Sequence, residues 1–326
     1  MAARFPMAVV VTGAPLTITV EGASAVVAAE DFVGGLATDD RVQAAFLGDR
    51  LTVLAKAGGN GPNPNLLINS DFVVNQRGAV SGTSVVADAY FLDRWKNLST
   101  GARGFSWADV GGVRTLTIGS ASVSAEVGQI IEAANLPSGV HTVSTDAVGA
   151  SLNVYNAAGT VVASGVGTTK PTVSFTADGT QDYSARLLTD AGTTATVSWM
   201  KVERGAVATP YQPPTFDDNL RACRRFYVRY TARGQYTRFA AGFGKDSTRI
   251  KVLIGIPVMR SEVTMTTSGD LRTYDETTIG AISSMNINQQ GEMVTLELVV
   301  TGATAFRPYV LIAGGETSFI AFDAEL

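Results

Sequence analysis

Residues 199–230 read WMKVERGAVATPYQPPTFDDNLRACRRFYVRY. Val197, Trp199 and Lys201 alternate with Ser198, Met200 and Val202, the pattern of a half-buried β-strand that ends at Arg204-Gly205. Pro210, Pro213 and Pro214 then exclude both a helix interior and a central strand, because proline lacks the amide hydrogen and fixes φ. Thr215 follows as an N-cap with Asp218 three residues on, an acid suited to the helix dipole. Phe216, Leu220, Cys223 and Tyr227 share one helical face. The stretch closes one β domain and opens another with a short helix.

The remainder reads as strands and turns. The chain has 326 residues, of which 17% are charged and 34 are glycine, and valine, threonine, serine and alanine crowd the apolar segments. That length allows two or three domains, and the composition suits short strands in sandwiches or barrels. A net charge of −4 gives no general attraction to nucleic acid or to anionic membrane. The single cysteine, Cys223, excludes an intrachain disulfide. No apolar run approaches the roughly 20 residues of a membrane span. Met7–Val11 is too short for a signal-peptide core, so synthesis in the cytoplasm and no membrane insertion are expected.

Residues 1–58 show five strand-like segments, Met7–Thr12, Leu16–Glu21, Ser24–Ala29, Arg41–Leu47 and Leu51–Lys56, which suggest a small SH3- or OB-like barrel. With few cations and three phenylalanines, it reads as a docking module rather than a nucleic-acid binder. Residues 59–63 lie in a Gly/Pro linker. Residues 64–213 carry segments spaced for a two-sheet antiparallel jelly-roll sandwich, at Arg114–Ile118, Gly139–Thr145, Ala150–Tyr155, Thr172–Thr176, Tyr183–Leu188 and Thr194–Val202. Residues 214–326 open with the helix and return to strands at Thr237–Phe243, Thr248–Ile256, Ser261–Thr267, Thr295–Val300, Tyr309–Ile312 and Ser318–Ala324. The expected fold class is therefore all-β, with a C-terminal β-sandwich opened by a short helix.

Three sets of residues carry a family resemblance. The first is Asn65-Leu-Leu-Ile-Asn69-Ser-Asp71-Phe72 with Asn75-Gln76-Arg77-Gly78, and the second is Tyr90-x-x-Asp93-Arg94-Trp95. The third is Trp199-x-Lys201-x-Glu203-x-Gly205 followed by the prolines and Cys223-Arg-Arg-Phe-Tyr227. Together they resemble phage tail-fibre proteins in which a carbohydrate-binding-module-like jelly roll precedes a C-terminal tip domain. The resemblance is specific over residues 64–213 and rests beyond Tyr230 mainly on Ile256-Pro-Val-Met-Arg260. It implies a virion protein, released by lysis, that attaches to host-surface glycan. It also implies a trimeric tip and docking of the N-terminal module on tail or baseplate proteins. A head fibre or spike is the nearest alternative, a glycan-cleaving depolymerase a further one, and a free lectin a third.

Chemistry-bearing residues are few. His141 is the lone histidine, which leaves no Ser-His-Asp or Cys-His site, and no spacing singles out a pair among the 29 acids. No enzyme is expected. The resemblance makes Asn69, Asp71 and Glu203 candidate oxygen ligands for a structural calcium, with turn and backbone hydrogen bonds as the alternative. Otherwise no cofactor is expected. Trp107, Tyr90 and Tyr155 are the candidate glycan-binding aromatics, Trp107 being the one expected to be exposed. Trp95 and Trp199 read as core. Gly242–Thr248 resembles a phosphate loop but has Asp246 where that motif needs Ser or Thr, and reads as a turn. Asn97-Leu-Ser99 is a glycosylation sequon by pattern only. Arginines 221, 224, 225, 229, 233 and 238 interleave with aromatics, which suits a subunit contact or a solvated face and leaves acidic glycan open. Asp270–Ile279 and Ala303–Pro308 read as polar loops at the far end of the tip, suited to host contact.

Overall fold

The structure is a computed structural model describing residues 64–325, apart from 120–122, 166–168 and 290–292, and the backbone of five strands between Ala8 and Ala57. It is nearly all β, with one α-helix among the described residues. No helix among them is long and apolar enough to cross a membrane. Two compact units are present, Met1–Pro64 with Thr209–Gln212, and Asn65–Ala208 with Pro213–Leu326.

In the first unit the strands are Ala8–Val11, Thr17–Val20, Val26–Ala28, Arg41–Leu47 and Arg50–Ala57. They form one antiparallel sheet in the order third, second, first, fourth, fifth. Among the described residues no pairing joins the two edge strands, so the sheet is open where a small barrel was expected. Its third strand has only three residues, too few ladder bonds to close onto the eight-residue fifth.

The first part of the second unit is a jelly-roll-like sandwich. One layer is a six-stranded antiparallel sheet in the order Val161–Gly165, Ser151–Asn156, Tyr183–Thr189, Ala125–Ile131, Trp95–Asn97 and Tyr90–Leu92. The other layer is split. Thr194–Val197, Val113–Gly119, Arg103–Val110 and Ser84–Val85 make four strands, and Thr172–Ala177, Gly139–Thr145 and Met200–Arg204 make three. Phe105 and Leu116 from the four-stranded sheet meet Val127, Leu152 and Leu187 from the six-stranded one, with Val143 and Val202 from the third. The segment expected as a single strand from Thr194 to Val202 is two strands in different sheets. Ser198 and Trp199 make the crossing, with both amides held by Asp146 Oδ1 at 2.8 and 3.0 Å. Trp199 is half-buried rather than core. Lys201 and Glu203 beyond it are buried and ion-paired at 3.1 Å, so this strand is not the half-exposed one its alternation suggested.

The helix Phe216–Cys223 forms where expected, and Thr215 Oγ1 accepts from Asp218 N at 3.2 Å. Its buried face differs from the apolar reading. Asn219 and Cys223 point inward, Phe216 is exposed, and Tyr227 already belongs to the next strand. The strands Arg238–Gly244, Arg249–Gly255, Met293–Val300, Ile279–Gln289, Leu271–Tyr274 and Pro308–Ala313 then close into a six-stranded barrel, in that order. Ile250, Val252, Leu296, Leu298 and Leu311 fill its interior. A sandwich was expected here. The closed ring arises because Leu271–Tyr274 and Ile279–Gln289, which lie in or just past a segment read as loop, supply the two strands that remove the edges.

Tyr227–Thr231, Phe319–Asp323 and Thr264–Ser268 make a separate three-stranded sheet with Phe319–Asp323 at its centre. The final apolar strand and the Cys223 and Tyr227 side chains are thus buried within the chain.

The motif residues join sandwich to barrel. Asn69, Phe72 and Arg94 adopt left-handed φ of 55°, 62° and 70°, which non-glycine residues hold only when surrounding contacts enforce it. Asn69 Nδ2 donates to the carbonyls of Val74 and Asp93, both at 2.9 Å, and its Oδ1 accepts from Val74 N at 2.8 Å. Trp95 Nε1 donates to Asn69 O at 2.7 Å, and the ring packs on Phe72 at 4.6 Å. Gln76 Nε2 donates to Asp93 Oδ1 and to Tyr227 O, both at 2.9 Å. Arg77 pairs with Asp323 at 3.0 Å and Glu325 at 3.3 Å and lies over the Tyr227 ring at 4.0 Å. Arg94 pairs with Glu325, donates to Ile130 O at 2.8 Å and covers Phe226 at 3.7 Å.

Candidate ligand-binding surface

Alternation along the barrel strands turns Leu311 and Thr273 inward, and Arg238, Ile312, Arg272, Val310 and Tyr274 outward. Register places Arg238 beside Ile312 and Ile312 beside Arg272, with Val310 beside Tyr274 and Tyr274 beside Ile279. Tyr236, just before the first barrel strand, completes a cavity of about 330 Å3 with Arg238, Tyr274, Ile279 and Ile312. Tyr236 is held at φ 66° by its amide, which donates to Ala313 O at 2.8 Å, and 52% of its surface is exposed. The turn beneath is closed by Thr237 Oγ1, which donates to Gly234 O at 2.7 Å. An exposed aromatic kept in a strained backbone conformation marks a functional candidate.

Three loops gather at one end of the barrel. The strand directions put Lys245–Thr248, residues 275–278 and residues 301–307 together, away from the end that continues into the three-stranded sheet. Arg307 ties two of them, with Nε 3.2 Å from Asp275 Oδ2 and Nη2 donating to Thr277 Oγ1 at 2.8 Å. Burial pushes the Asp275 carboxyl up, but the amides of Thr278 and Thr277 and the Arg307 charge outweigh it, so its pKa lies below the ordinary value. Phe306 crowns the third loop with φ 63° and 87% exposure, its amide donating to Gly244 O at 2.8 Å. The segments Asp270–Ile279 and Ala303–Pro308, read as polar loops, are thereby adjacent, and the first supplies Tyr274 and Ile279 to the cavity.

Chemically, this surface offers two phenol rings for stacking on the C–H faces of a sugar, an exposed guanidinium for its hydroxyls and an apolar floor. No carboxylate lines the cavity, and Asp270 beside it is engaged by Arg272 at 2.7 Å. The acid and base of a glycosidase have no counterpart among these lining residues. A wider depression of about 480 Å3 lies on the four-stranded sheet, floored by Gly104, Ser106, Thr117 and Gly119. It has no cation and no exposed aromatic to orient a ligand.

The sequence candidates scatter. Trp107 is half-buried on the core side of its sheet, 6.3 Å from Phe91, so it is not the exposed platform expected of it. Tyr90 lies between Arg77 at 5.0 Å and Lys96 at 5.3 Å. Tyr155 is covered by Arg186 at 4.0 Å. Three strands separate Tyr90 from Tyr155 in their sheet, and Trp107 is in another, so no joint site forms. Asn69, Asp71 and Glu203 do not fit calcium. Asn69 spends its carboxamide on backbone, Asp71 Oδ1 accepts from Asn219 Nδ2 at 2.8 Å, and Lys201 holds Glu203. The opening segment runs antiparallel to the closing strand, with Leu66 on Val202 and Ser70 on Met200, which puts Asp71 and Glu203 at opposite ends.

Other motifs resolve structurally. His141 is a core residue whose ring lies tilted 5.6 Å from that of Phe175, and burial lowers its pKa. Asn97 is buried with Nδ2 donating to the carbonyls of Val85, Val86 and Gly101, so the sequon is no acceptor. Cys223 is buried and its thiol pKa is pushed far up, chiefly by desolvation. No protein-family model matches the chain, and a search of curated proteins finds no relative.

Proposed function

We propose that the chain is a receptor-binding fibre protein of a tailed phage or phage-like particle, attaching to a glycan on the host surface without cleaving it. The observation that carries this reading is the barrel cavity of Tyr236, Arg238 and Tyr274 beside a loop end crowned by Phe306. In this reading the N-terminal unit docks on tail or baseplate proteins, and the barrel meets the host. A homotrimer would present three copies, raising avidity without a stronger single site.

Labelled full-length protein incubated with a panel of bacterial strains tests the reading. Binding to a subset of strains that is abolished by periodate oxidation of their surface sugars supports it. Truncating an anchoring aromatic costs about 2 kcal/mol at an energetic hot spot, so Tyr236→Ala and Tyr274→Ala should each weaken single-site affinity by about 30-fold. Binding to no strain, or binding indifferent to periodate, would sink it.

A further inference from the structure

A third cavity, of about 180 Å3, lies where the helix end meets the sandwich loop, lined by Gln76, Arg224, Val228, Arg229, Tyr230 and Pro257. Among the described residues, neither arginine is ion-paired to a carboxylate. The nearby acids are already engaged, Asp93 by Gln76 and Asp323 by Arg77. Arg229 is fixed in place, its Nη1 donating to Arg77 O and its guanidinium stacked 3.8 Å over Phe319, while its Nε is buried without a hydrogen-bond partner. Gly78, at φ 68°, makes room for it, since a Cβ there would come within 2.7 Å of Arg229 Nη1. Arg224 caps the helix and is exposed, so its side chain is available at the cavity.

Two guanidinium groups facing one cavity without a counter-charge repel each other, and a bound anion relieves that repulsion. The carbonyl end of the helix opposes an anion with a partial charge of about half a unit, which two full positive charges outweigh. The volume is below that of sites enclosing a whole small ligand, about 300 Å3 and upward. It suits one oxyanion group, with the body of the ligand outside against Tyr230 and Pro257.

We infer that this cavity binds an oxyanion substituent, carboxylate or phosphate, on a sugar of the surface glycan. The inference rests on the attachment reading above and names the class of glycan, an acidic one. Isothermal titration of the full chain would compare methyl glucuronide, glucose 6-phosphate, neutral methyl glucoside and inorganic phosphate. At least tenfold tighter binding of one or both charged sugars than of the glucoside is expected, and which one binds identifies the source of the oxyanion. Arg224→Gln should remove that preference with an unchanged melting curve, because the side chain is exposed and has no ion pair to lose.

Equal binding of charged and neutral sugars, or an Arg224→Gln variant that keeps the preference, overturns the inference. Binding of inorganic phosphate alone means an adventitious ion only and overturns it as well. Cell attachment that survives Arg224→Gln sinks this site and leaves the attachment reading standing. Charged-sugar binding through Arg224 without attachment to any cell supports the site and removes the reading.

Discussion

Replacing Glu325 by glutamine tests the joint between sandwich and barrel most directly. Arg94 and Glu325 pair with side chains each 3% exposed, and the same carboxylate takes Arg77 at 3.3 Å. Glutamine keeps the shape and one acceptor but removes the charge, leaving the Arg94 guanidinium buried over Phe226 with the carbonyl of Ile130. Removing one partner of a buried ion pair costs about 3–5 kcal/mol. A retained hydrogen bond to a charged group returns about 1.5 kcal/mol or more, so a net loss of about 2–3 kcal/mol is expected. At this chain size each kcal/mol moves Tm by about 2–4 °C, giving a fall of about 5–10 °C by circular dichroism. Arg94→Met combined with Glu325→Leu should recover most of that, since an apolar pair avoids the desolvation of two charges. Asp109→Asn serves as control and should leave Tm unchanged, because its ion pair with Arg114 is 62% exposed on the Asp109 side. A Glu325→Gln shift no larger than that of the control would show that water reaches the joint and would refute the reasoning.

Phe306→Gly should raise Tm slightly while weakening cell attachment, because glycine accepts the positive φ and the lost ring was 87% exposed; melting curves and binding measured together check both signs. Carboxyl-carbon NMR titration should place Asp93 above and Asp275 below the ordinary aspartate range, burial dominating the first and amide hydrogen bonds the second. By linkage, the Asp93 term lowers stability as pH rises from its unfolded to its folded pKa, while the Asp275 term is present above its unfolded pKa and is lost as pH falls through its folded one. Asp93→Asn should therefore remove part of the stability lost on going from acid toward neutral pH. A fragment of residues 213–326 should aggregate, since it bares Cys223, Phe226 and Tyr227 and strips Asp323 and Glu325 of Arg77 and Arg94. Trimerisation is therefore to be read from the full chain, where light scattering should give about three times the 34.0 kDa chain mass.

Much of the local structure is legible in residue patterns. Period-two alternation and turn residues mark Gly139–Thr145 and Met293–Val300, and Thr215 with Asp218 marks the helix start. Ala125–Ile131 was missed because Gly128 interrupts its pattern, yet that glycine is required there, since a Cβ would come within 2.6 Å of Ala185 O. Ile279–Gln289 was missed because register shifts near Ile282 and Ile287 break its alternation, and serine and asparagine fill its outer face. The motif residues around Asn69, Arg77 and Arg94 stand out in the sequence, but their role does not. Asn69 was a calcium candidate and instead holds the carbonyls of Val74 and Asp93, while Arg77 and Arg94, motif residues with no assigned role, are partners for Glu325, more than 200 residues away.

Local physics thus determined from sequence alone that the chain is all-β and where its helix begins. These depend on neighbours within a few positions: alternation, proline's missing amide, an N-cap oxygen. Only the tertiary structure decided that the C-terminal strands close into a barrel, that Trp107 faces the core and that Arg224 and Arg229 meet at one cavity. It alone also brought Tyr236, Tyr274 and Ile312 together at one cavity. Such placements depend on strand register and sheet closure, long-range pairings whose partners lie many residues apart and leave no mark in any short window of sequence.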